Sequence, residues 1–472
     1  MIKNVLLVNP PFPMSERYCK SFKSVGTIAP KLGLLYIASA LESAGYEVSF
    51  LDSVLEGYDI DEALDKVIKI SPDIIGISTE TPNMRRSANF SRKIKDSIDI
   101  PIIFGGPHPT LLPKEVLSHD SIDYVVMGEG EISTVKMIDA LNSDNPVGLI
   151  SRIKGIGYKN NSEIVITEQG ERIRDIDNIK FPAYHLTDIN RYKPTPHQYR
   201  RLPAASVITS RGCPFSCTFC SSSEIFKNKY ILRSVDNVIE ELIHLQERFG
   251  VKEINFWDDI WGLSKRWVED FCNKIVKEKI DITWSCNCRA DTVSVRMLTQ
   301  MAKAGCWRIV YGLESLDNDI LKVINKGIKL EKIFDAVCWT KKASIEVHGN
   351  FILGLPLETP EKARNMVKNI CKIPFDYVKF NVLTPFPGTV LHRELEEGKW
   401  GTYNKDQEKL TLHHVTFTPY GYSSFDELDK LRRWATKQFY IRPQYIFNRI
   451  ISMRTIEDLK RNVKGFKAVA GF

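Results

Sequence analysis

Ser206-Val207-Ile208-Thr209-Ser210-Arg211-Gly212-Cys213-Pro214-Phe215-Ser216-Cys217-Thr218-Phe219-Cys220 joins an apolar, strand-like run to three cysteines spaced C-x3-C-x2-C. Three thiolates on one short loop can each ligate one iron of a cubane cluster and leave the fourth iron without a protein ligand. Gly212 and Pro214 suit a loop that must wrap closely. The competing chemistry is structural zinc. A closed zinc site wants four ligands, usually in two C-x2-C-like halves. Cys286-x-Cys288 is too tight for a second half and falls within a strand pattern.

The alternation that begins at this strand continues to about residue 390. Strand patterns cover Ser206–Thr209, Glu253–Trp257, Thr283–Asn287, Arg308–Gly312, Asn350–Leu353 and Val378–Val382, with helical patterns such as Val238–Phe249 and Val293–Ala304 between them. Six βα units are too few to close an eight-stranded barrel, so 205–390 is expected to be an open, partial (β/α)6 barrel of TIM type. Its functional residues should lie at the C-terminal ends of the strands.

Upstream, residues 1–140 carry five short apolar runs, Val5–Val8, Val48–Leu51, Ile74–Ile77, Ile102–Phe104 and Tyr124–Met127, alternating with helical stripes such as Leu34, Leu35, Ile37, Ala38, Leu41, with Gly45 as a C-cap. Buried strands alternating with helices make a flavodoxin-like (Rossmann-like) domain whose ligand lies beyond the carboxyl ends of the strands. The loops there contain Pro10, Ser78-Thr79, Gly105-Gly106 and Gly128-Glu129-Gly130. Taken singly, each is a tight turn and nothing more. Residues 141–204 lose the rhythm and read as a connector with a small hairpin at 157–166; 391–472 read as mostly helical, broken at Pro419 and Pro443. The whole is an α/β chain.

Composition is ordinary for a globular chain: 472 residues, 43% hydrophobic and 26% charged. No apolar run reaches the roughly 18–20 residues that span a bilayer, and the first residues read as a strand and not a signal peptide. A cytoplasmic location is expected, and the ten cysteines show no disulfide framework. From Lys430 onward there are 11 Lys and Arg against 2 Asp and Glu, a net +9, so the first 429 residues sum to −2. Such a tail is most simply a solvated helical face; it also suits peripheral contact with a membrane or an acidic partner. Nothing points to nucleic acid.

With these motifs in order, the sequence resembles the radical S-adenosylmethionine superfamily, in the cobalamin-binding branch that includes the anaerobic magnesium-protoporphyrin ester cyclase and cobalamin-dependent radical methyltransferases. The resemblance runs from residue 1 to about 450. It rests on the cysteine loop with Phe219 before its last cysteine, and on Phe256-Trp257-Asp258-Asp259, Cys288-Arg289-Ala290-Asp291, Gly312-Leu313-Glu314-Ser315, Gly349–Pro356 and Phe386-Pro387-Gly388-Thr389. It implies a [4Fe–4S] cluster on Cys213, Cys217 and Cys220, with S-adenosylmethionine bound by Phe219, Asp258, Asp259, Arg289, Glu314 and Gly354. It implies cobalamin on Pro10, Ser78, Thr79, Gly105, Gly106, Gly128, Glu129 and Gly130. Plainer roles stand beside these: Asp258 and Asp259 as helix N-caps, Glu314 as the partner of a surface lysine. One departure is visible. The D-x-H-x-x-G motif that supplies a lower cobalt ligand in the methionine synthase type is absent from 1–140, and His108, between two prolines, and His119 lie in the wrong context.

The implied activity is generation of a 5′-deoxyadenosyl radical, with methyl transfer to an unactivated carbon as the leading reaction. An oxidative cyclisation or other rearrangement of the ester-cyclase type is the alternative, and a non-catalytic cobalamin or iron–sulfur sensor the second. A small apolar or acidic substrate is expected, the aromatic residues Phe439, Tyr440, Tyr445 and Phe447 suiting either unless they merely cap the barrel, with flavodoxin or ferredoxin as electron donor. A methylthiotransferase would need three N-terminal cysteines, and only Cys19 is present. No catalytic acid or base is identified.

Overall fold

A computed structural model of the chain describes residues 1–17, 26–161 and 163–453, with positions 459, 462, 463, 465 and 466. Cys19, Ser162 in the hairpin turn, and most of the basic stretch beyond 453 lie outside the described residues. The chain divides into two compact units, one running essentially from Met1 to Tyr192, the other from Lys193 onward.

In the first unit β1 (Asn4–Asn9), β2 (Glu47–Asp52), β3 (Ile74–Ser78), β4 (Ile102–Gly105) and β5 (Tyr124–Val126) form a parallel sheet in the order β2-β1-β3-β4-β5. The five apolar runs are these strands. Five of the six residues of β1 are buried, because alternate side chains serve two cores. Leu6 and Val8 join Ala63, Val67, Phe90 and Ile94 of two helices on one face. Val5 and Leu7 join Leu34, Ala38, Leu41, Met137 and Ile138 on the other. The helix Leu32–Ser43 ends as expected, with Gly45 at φ +92° just after its cap.

The stretch expected to be a connector does more than connect. β6 (Ile156–Asn160) pairs antiparallel with β5, and β7 (Glu163–Ile166) with β6, so the sheet has seven strands. Ala183 packs in the core of this unit, and the Tyr192 hydroxyl donates to Asp52 Oδ2 at 2.9 Å. The hairpin covers the edge that β5 would leave unpaired. Antiparallel neighbours need no helical crossover, which is why the βα rhythm disappears although the sheet continues.

The second unit opens with β8 (Ala204–Val207). A two-residue antiparallel pair, β9 (Ser210–Arg211) and β10 (Ile231–Leu232), follows, then β11 (Glu253–Phe256), β12 (Thr283–Cys288), β13 (Cys306–Glu314), β14 (Glu346–Leu353) and β15 (Tyr377–Val382). β8 and β11–β15 form one parallel sheet in sequence order, with β8 and β15 as its two edges. It is the open six-stranded partial barrel. Ser234, Ser264, Ser294 and Thr359 cap the N-termini of four of its helices, each side-chain oxygen taking one orphan N–H. The face toward the helices is dry. Tyr311 reaches Thr340 of the helix Leu330–Lys342 at 2.8 Å, and Phe256, Trp261, Phe271 and Trp284 pack ring on ring.

Beyond β15 a small hairpin, β16 (Gly401–Tyr403) with β17 (Phe417–Pro419), interrupts the helices Val390–Glu396, Phe425–Tyr440 and Pro443–Ser452. Pro419 sits in that hairpin, and Pro443 opens a helix in its first turn, where no N–H is needed. Phe439 is fully buried. Tyr440 and Tyr445 donate to Val378 O and Asp376 O at 2.7 and 3.1 Å. These aromatics therefore cap the barrel, and of the four named only Phe447 is exposed. Among the described residues no helix is long and apolar enough to cross a membrane.

Candidate functional site

The register of β8 against β11, Val207 opposite Phe256, brings the residues after each strand together. Asp258 Oδ1 accepts hydrogen bonds from Thr209 N (3.0 Å), Thr209 Oγ1 (2.8 Å), Ser210 Oγ (2.6 Å) and Ser210 N. One residue on, Asp259 Oδ2 accepts from Gly212 N at 3.2 Å, and Gly212 turns the chain at φ +84°. The cysteine loop begins there.

Contacts from elsewhere in the unit hold the rest of the loop. Thr218 N donates to Ile324 O at 3.0 Å, Leu391 N to Thr218 O at 2.9 Å, and Asn325 Nδ2 to Ser216 O and Oγ at 3.0 and 2.9 Å. Cys220 N closes a turn onto Cys217 O at 3.1 Å, and the helix Ser221–Phe226 follows. Cys217 is buried, while Cys213, Phe219 and Cys220 are partly exposed. Burial pushes the Cys213 thiol up and the Cys220 thiol to about 11, so only a bound metal would draw these protons off at neutral pH. Among the described residues no three metal-type side chains converge on one ion. A cubane makes a different demand, one thiolate for each of three irons.

Asp258 departs from its expected place as a ligand-binding carboxylate. It is 2% exposed, Oδ1 is committed to the Thr209–Ser210 turn, and Oδ2 has no partner among the described residues. Burial lifts its carboxyl to about 7 against the pull of the Ser210 and Thr209 donors. Nor is it a helix cap, since the next helix starts at Lys265 behind Ser264. It shapes the entry to the cysteine loop. Asp259, by contrast, is exposed.

Arg289 follows β12 with its guanidinium 3.6 Å over the Phe215 ring of the loop, bonded to both oxygens of Asp291 at 3.0 Å and to Lys326 O at 2.8 Å. Lys326 Nζ donates to Glu314 Oε1 at 2.8 Å, and both are buried. The partner of Glu314 is thus an interior lysine and not a surface one. Burial works against the Lys326 charge, and the Glu314 carboxylate more than restores it. Glu314 holds φ +65°, a strained conformation for a residue with a side chain, where β13 slips its register between Gly312 and Glu314. A Cβ on Gly312 would lie 2.8 Å from Glu314 Oε1. Gly354, at φ +80° after β14, donates its N–H to Glu358 Oε1 at 2.6 Å, and a Cβ there would strike Leu428 at 2.6 Å. Its glycine is required by the packed helix Phe425–Tyr440. Glu358 is buried, also accepts from Tyr422 Oη at 2.8 Å, and burial lifts its carboxyl to about 7.

In the first unit Pro10, Ser78-Thr79, Gly105-Gly106 and Gly128–Gly130 follow β1, β3, β4 and β5, all at the carboxyl ends of the strands. Gly106, at φ +105°, brings its Cα so close to the buried Thr79 that a Cβ would lie 2.7 Å from Thr79 O and 3.2 Å from Ser78 Oγ. Gly128 is exposed, at φ +77°, with its N–H on Thr110 Oγ1. Two of the expected cofactor residues have structural duties instead. Glu129 Oε2 is taken by Arg172 Nε at 2.7 Å and Ile173 N at 2.9 Å. A Cβ on the buried Gly130 would meet Ile37 at 2.9 Å, so it serves the packing of two helices. His108 is fully buried, its Nδ1 3.2 Å from Thr81 Oγ1 and its Nε2 3.5 Å from Glu115. It is not available to a metal. The small residues at these strand ends leave room for a large flat group, which Pro10, Ser78, Thr79, Gly105, Gly106 and Gly128 would hold.

Sequence reasoning missed Thr209, Ser210, Asn325, Lys326 and Glu358. Their roles depend on which loops meet in space, and Asn325-Lys326-Gly327 reads in sequence only as a helix end.

Residues 207–370 match the family model described as the Radical SAM superfamily, and residues 21–137 match that of the B12 binding domain. An uncharacterized methyltransferase of Pyrococcus horikoshii is 32% identical over 478 residues, covering 99% of each chain. An anaerobic magnesium-protoporphyrin IX monomethyl ester cyclase of Cereibacter sphaeroides is 27% identical over 78% of this chain and 60% of its own. In fold, the chain is similar to the radical S-adenosylmethionine methyltransferase TsrM of Kitasatospora setae, with a TM-score of 0.72 at 18% identity over 94% of this chain and 90% of that one.

Proposed function

The chain belongs to the cobalamin-binding branch of the radical S-adenosylmethionine enzymes, and from that premise we propose that it methylates an unactivated carbon of a small apolar or acidic molecule. Its cofactors are a [4Fe–4S] cluster, S-adenosylmethionine and cobalamin. When bound, they supply the electron that cleaves a carbon–sulfur bond of S-adenosylmethionine and the cobalt that carries a methyl group. The observation that carries the reading is the cysteine loop, held at both ends at the carboxyl edge of the partial barrel by Asp258, Asp259, Asn325 and Ile324.

In this reading Cys213, Cys217 and Cys220 ligate the cluster. Phe219, Asp259, Arg289, Glu314 and the turn at Gly354 line the S-adenosylmethionine site, with Asp258 shaping the loop beside it. Lys326 holds Glu314 through its ammonium and Arg289 through its backbone carbonyl. Pro10, Ser78, Thr79, Gly105, Gly106 and Gly128 form the cobalamin platform; Glu129 and Gly130 support it from behind. A flavodoxin or ferredoxin is the proposed electron donor. Thiolates that must stay reduced suit the cytoplasm. The exposed Phe447, Ile450 and Ile451, beside the basic C-terminal stretch, suit peripheral contact with a membrane.

A cyclase of the magnesium-protoporphyrin type is the second reading, favoured by the similarity to those enzymes over 78% of this chain. A sensor that binds cofactors without consuming them is the third. Protein reconstituted anaerobically with iron, sulfide and hydroxocobalamin, then given S-adenosylmethionine and dithionite, separates them. Methylation, with its acceptor molecule present, yields 5′-deoxyadenosine together with S-adenosylhomocysteine; a cyclase with its substrate yields no S-adenosylhomocysteine; a sensor yields neither. Full iron content in Cys217→Ala would overturn the ligand assignment.

A further inference from the structure

The inner face of the partial barrel is unusually polar. Register fixes which residues share it: Ser285 pairs with Arg308, Val310 with His348, His348 with Tyr377, Asn350 with Lys379 and Ile352 with Asn381. Strand side chains alternate between faces. Tyr311, one residue from Val310, faces the helix Leu330–Lys342, and Phe351, one residue from Asn350, packs on Phe375 and Phe380. Arg308, His348, Asn350, Lys379 and Asn381 therefore point into the bore.

Five buried polar atoms there have no hydrogen-bond partner among the described residues: Arg308 Nε, both ring nitrogens of His348, Asn350 Oδ1 and Asn381 Oδ1. Arg308, His348 and Asn381 are each more than nine-tenths buried. Native interiors rarely leave such groups unmet. Arg308 and Lys379 carry positive charge on this face, and Glu346, opposite Arg308 in register, a negative one. Arg308 donates to His197 O at 2.7 Å and Ser285 Oγ at 3.1 Å, both neutral. The carboxylates nearest to it are engaged elsewhere, Glu253 by the N–H groups of Arg200 and Arg201 and by Trp307, and Glu346 by the Arg200 guanidinium. The His348 ring lies tilted against His197, 5.4 Å away, and against Tyr377, 6.1 Å away. Burial, reinforced by the charges of Arg308 and Lys379, holds both imidazoles well below their ordinary range, His197 at about 3. At neutral pH each ring is an uncharged donor and acceptor.

We propose that the bore binds an anionic group, a carboxylate or a phosphate, on the donors of Arg308, His348 and Lys379. Calling that group part of the substrate rests on the methyltransferase reading; the anion site itself does not. Arg308 Nε, the one N–H of the neutral His348 ring and the Lys379 ammonium satisfy an anion by charge-assisted hydrogen bonds, while the amide oxygens of Asn350 and Asn381 accept from donor groups on the rest of the substrate, which extends toward the carboxyl ends of the strands. An acidic acceptor molecule is thereby favoured over a wholly apolar one.

The test uses the reconstituted full chain with its nine histidines labelled in the ring with 15N. His348→Gln and His197→Gln assign the two signals. Sodium phosphate and sodium acetate are titrated separately against sodium chloride at constant ionic strength, with neutral acetamide as a fourth arm. The expected result is a saturable shift of the His348 and His197 signals with phosphate or acetate, the tighter anion naming the group. Lys379→Met, with iron content unchanged, should weaken that binding by about tenfold or more, the worth of one hydrogen bond to a charge. No saturable shift beyond chloride, or an equal shift with acetamide, means a bore filled by water and overturns the proposal. A clear anion shift in a protein that never forms S-adenosylhomocysteine supports the site and counts against the methyltransferase reading alone.

Discussion

Replacing Asp258 separates a residue that shapes the cysteine loop from one that binds S-adenosylmethionine. Its Oδ1 meets four donors of Thr209 and Ser210. In Asp258→Ala the Ser210 hydroxyl can turn to Ile260 O, already 3.4 Å away, but the two backbone N–H groups and the Thr209 hydroxyl are stranded. At about 1–3 kcal/mol for each buried unmet donor, the loss is about 3–9 kcal/mol, all of it on the turn before Gly212. Removing a carboxyl that burial has lifted from 3.8 to about 7 returns about 4 kcal/mol at neutral pH. The gain offsets much of the loss, so the fold should survive while the loop loses its shape. Asp258→Asn keeps an oxygen for the same donors, and near pH 7 the wild-type carboxyl is itself close to half protonated, so the neutral isostere should behave almost like wild type. The assay is iron and sulfide per chain after anaerobic reconstitution, with the rate of 5′-deoxyadenosine formation at high and low S-adenosylmethionine. Asp258→Ala should lose most of its iron and about tenfold or more in rate, which corresponds to about 1.4 kcal/mol in the barrier. Asp258→Asn should keep both. The reasoning is refuted by full iron and rate in Asp258→Ala. It is equally refuted if Asp258→Asn keeps its iron but needs far more S-adenosylmethionine, for then the carboxylate binds that molecule directly.

Lys326→Met leaves the buried Glu314 without its cation and should destabilise the second unit by about 3–5 kcal/mol, most of it recovered when Glu314→Gln is added; denaturant titration reads both, and a single variant within about 1 kcal/mol of wild type would contradict the pairing. Glu358 has its carboxyl raised in the folded chain from 4.5 to about 7. The folded state holds that proton more tightly than the unfolded one, so the stability it lends is whole below about pH 4.5 and is lost as pH rises to 7, amounting to about 3 kcal/mol. Glu358→Gln should flatten that loss, and unfolding at pH 4.5 and pH 8 that changes equally in both proteins would exclude it. Gly106→Ala forces a Cβ to within 2.7 Å of Thr79 O at φ +105°. Cobalamin retained after gel filtration should fall well below that of Gly128→Ala, whose Cβ meets nothing within 4 Å; equal retention would remove the Gly105-Gly106 turn from the platform.

The strands of both sheets were legible because period and burial are local properties. A strand covered on both faces must be apolar throughout, as β1 is, and each βα repeat announces the next. The cysteine loop was legible for a related reason, since its three cysteines lie within eight residues of chain. The hairpin β6–β7 was legible as a hairpin, but its place at the edge of the first sheet was not, because an antiparallel edge strand needs neither a crossover helix nor a continuous apolar run. What sequence alone determined about this protein is therefore its repeat architecture, the three-cysteine spacing proposed to hold the cluster, and the loops at the carboxyl ends of its strands. Tertiary structure alone decided how the polar residues at those loops divide the work. Asp258, Glu129 and Gly130 resemble cofactor contacts in a motif, yet they hold backbone and helices, while Lys326 and Glu358 carry no motif and sit against Glu314 and Gly354. A charged side chain's role is set by the partners that replace its water on burial, and those partners come from loops far apart along the chain.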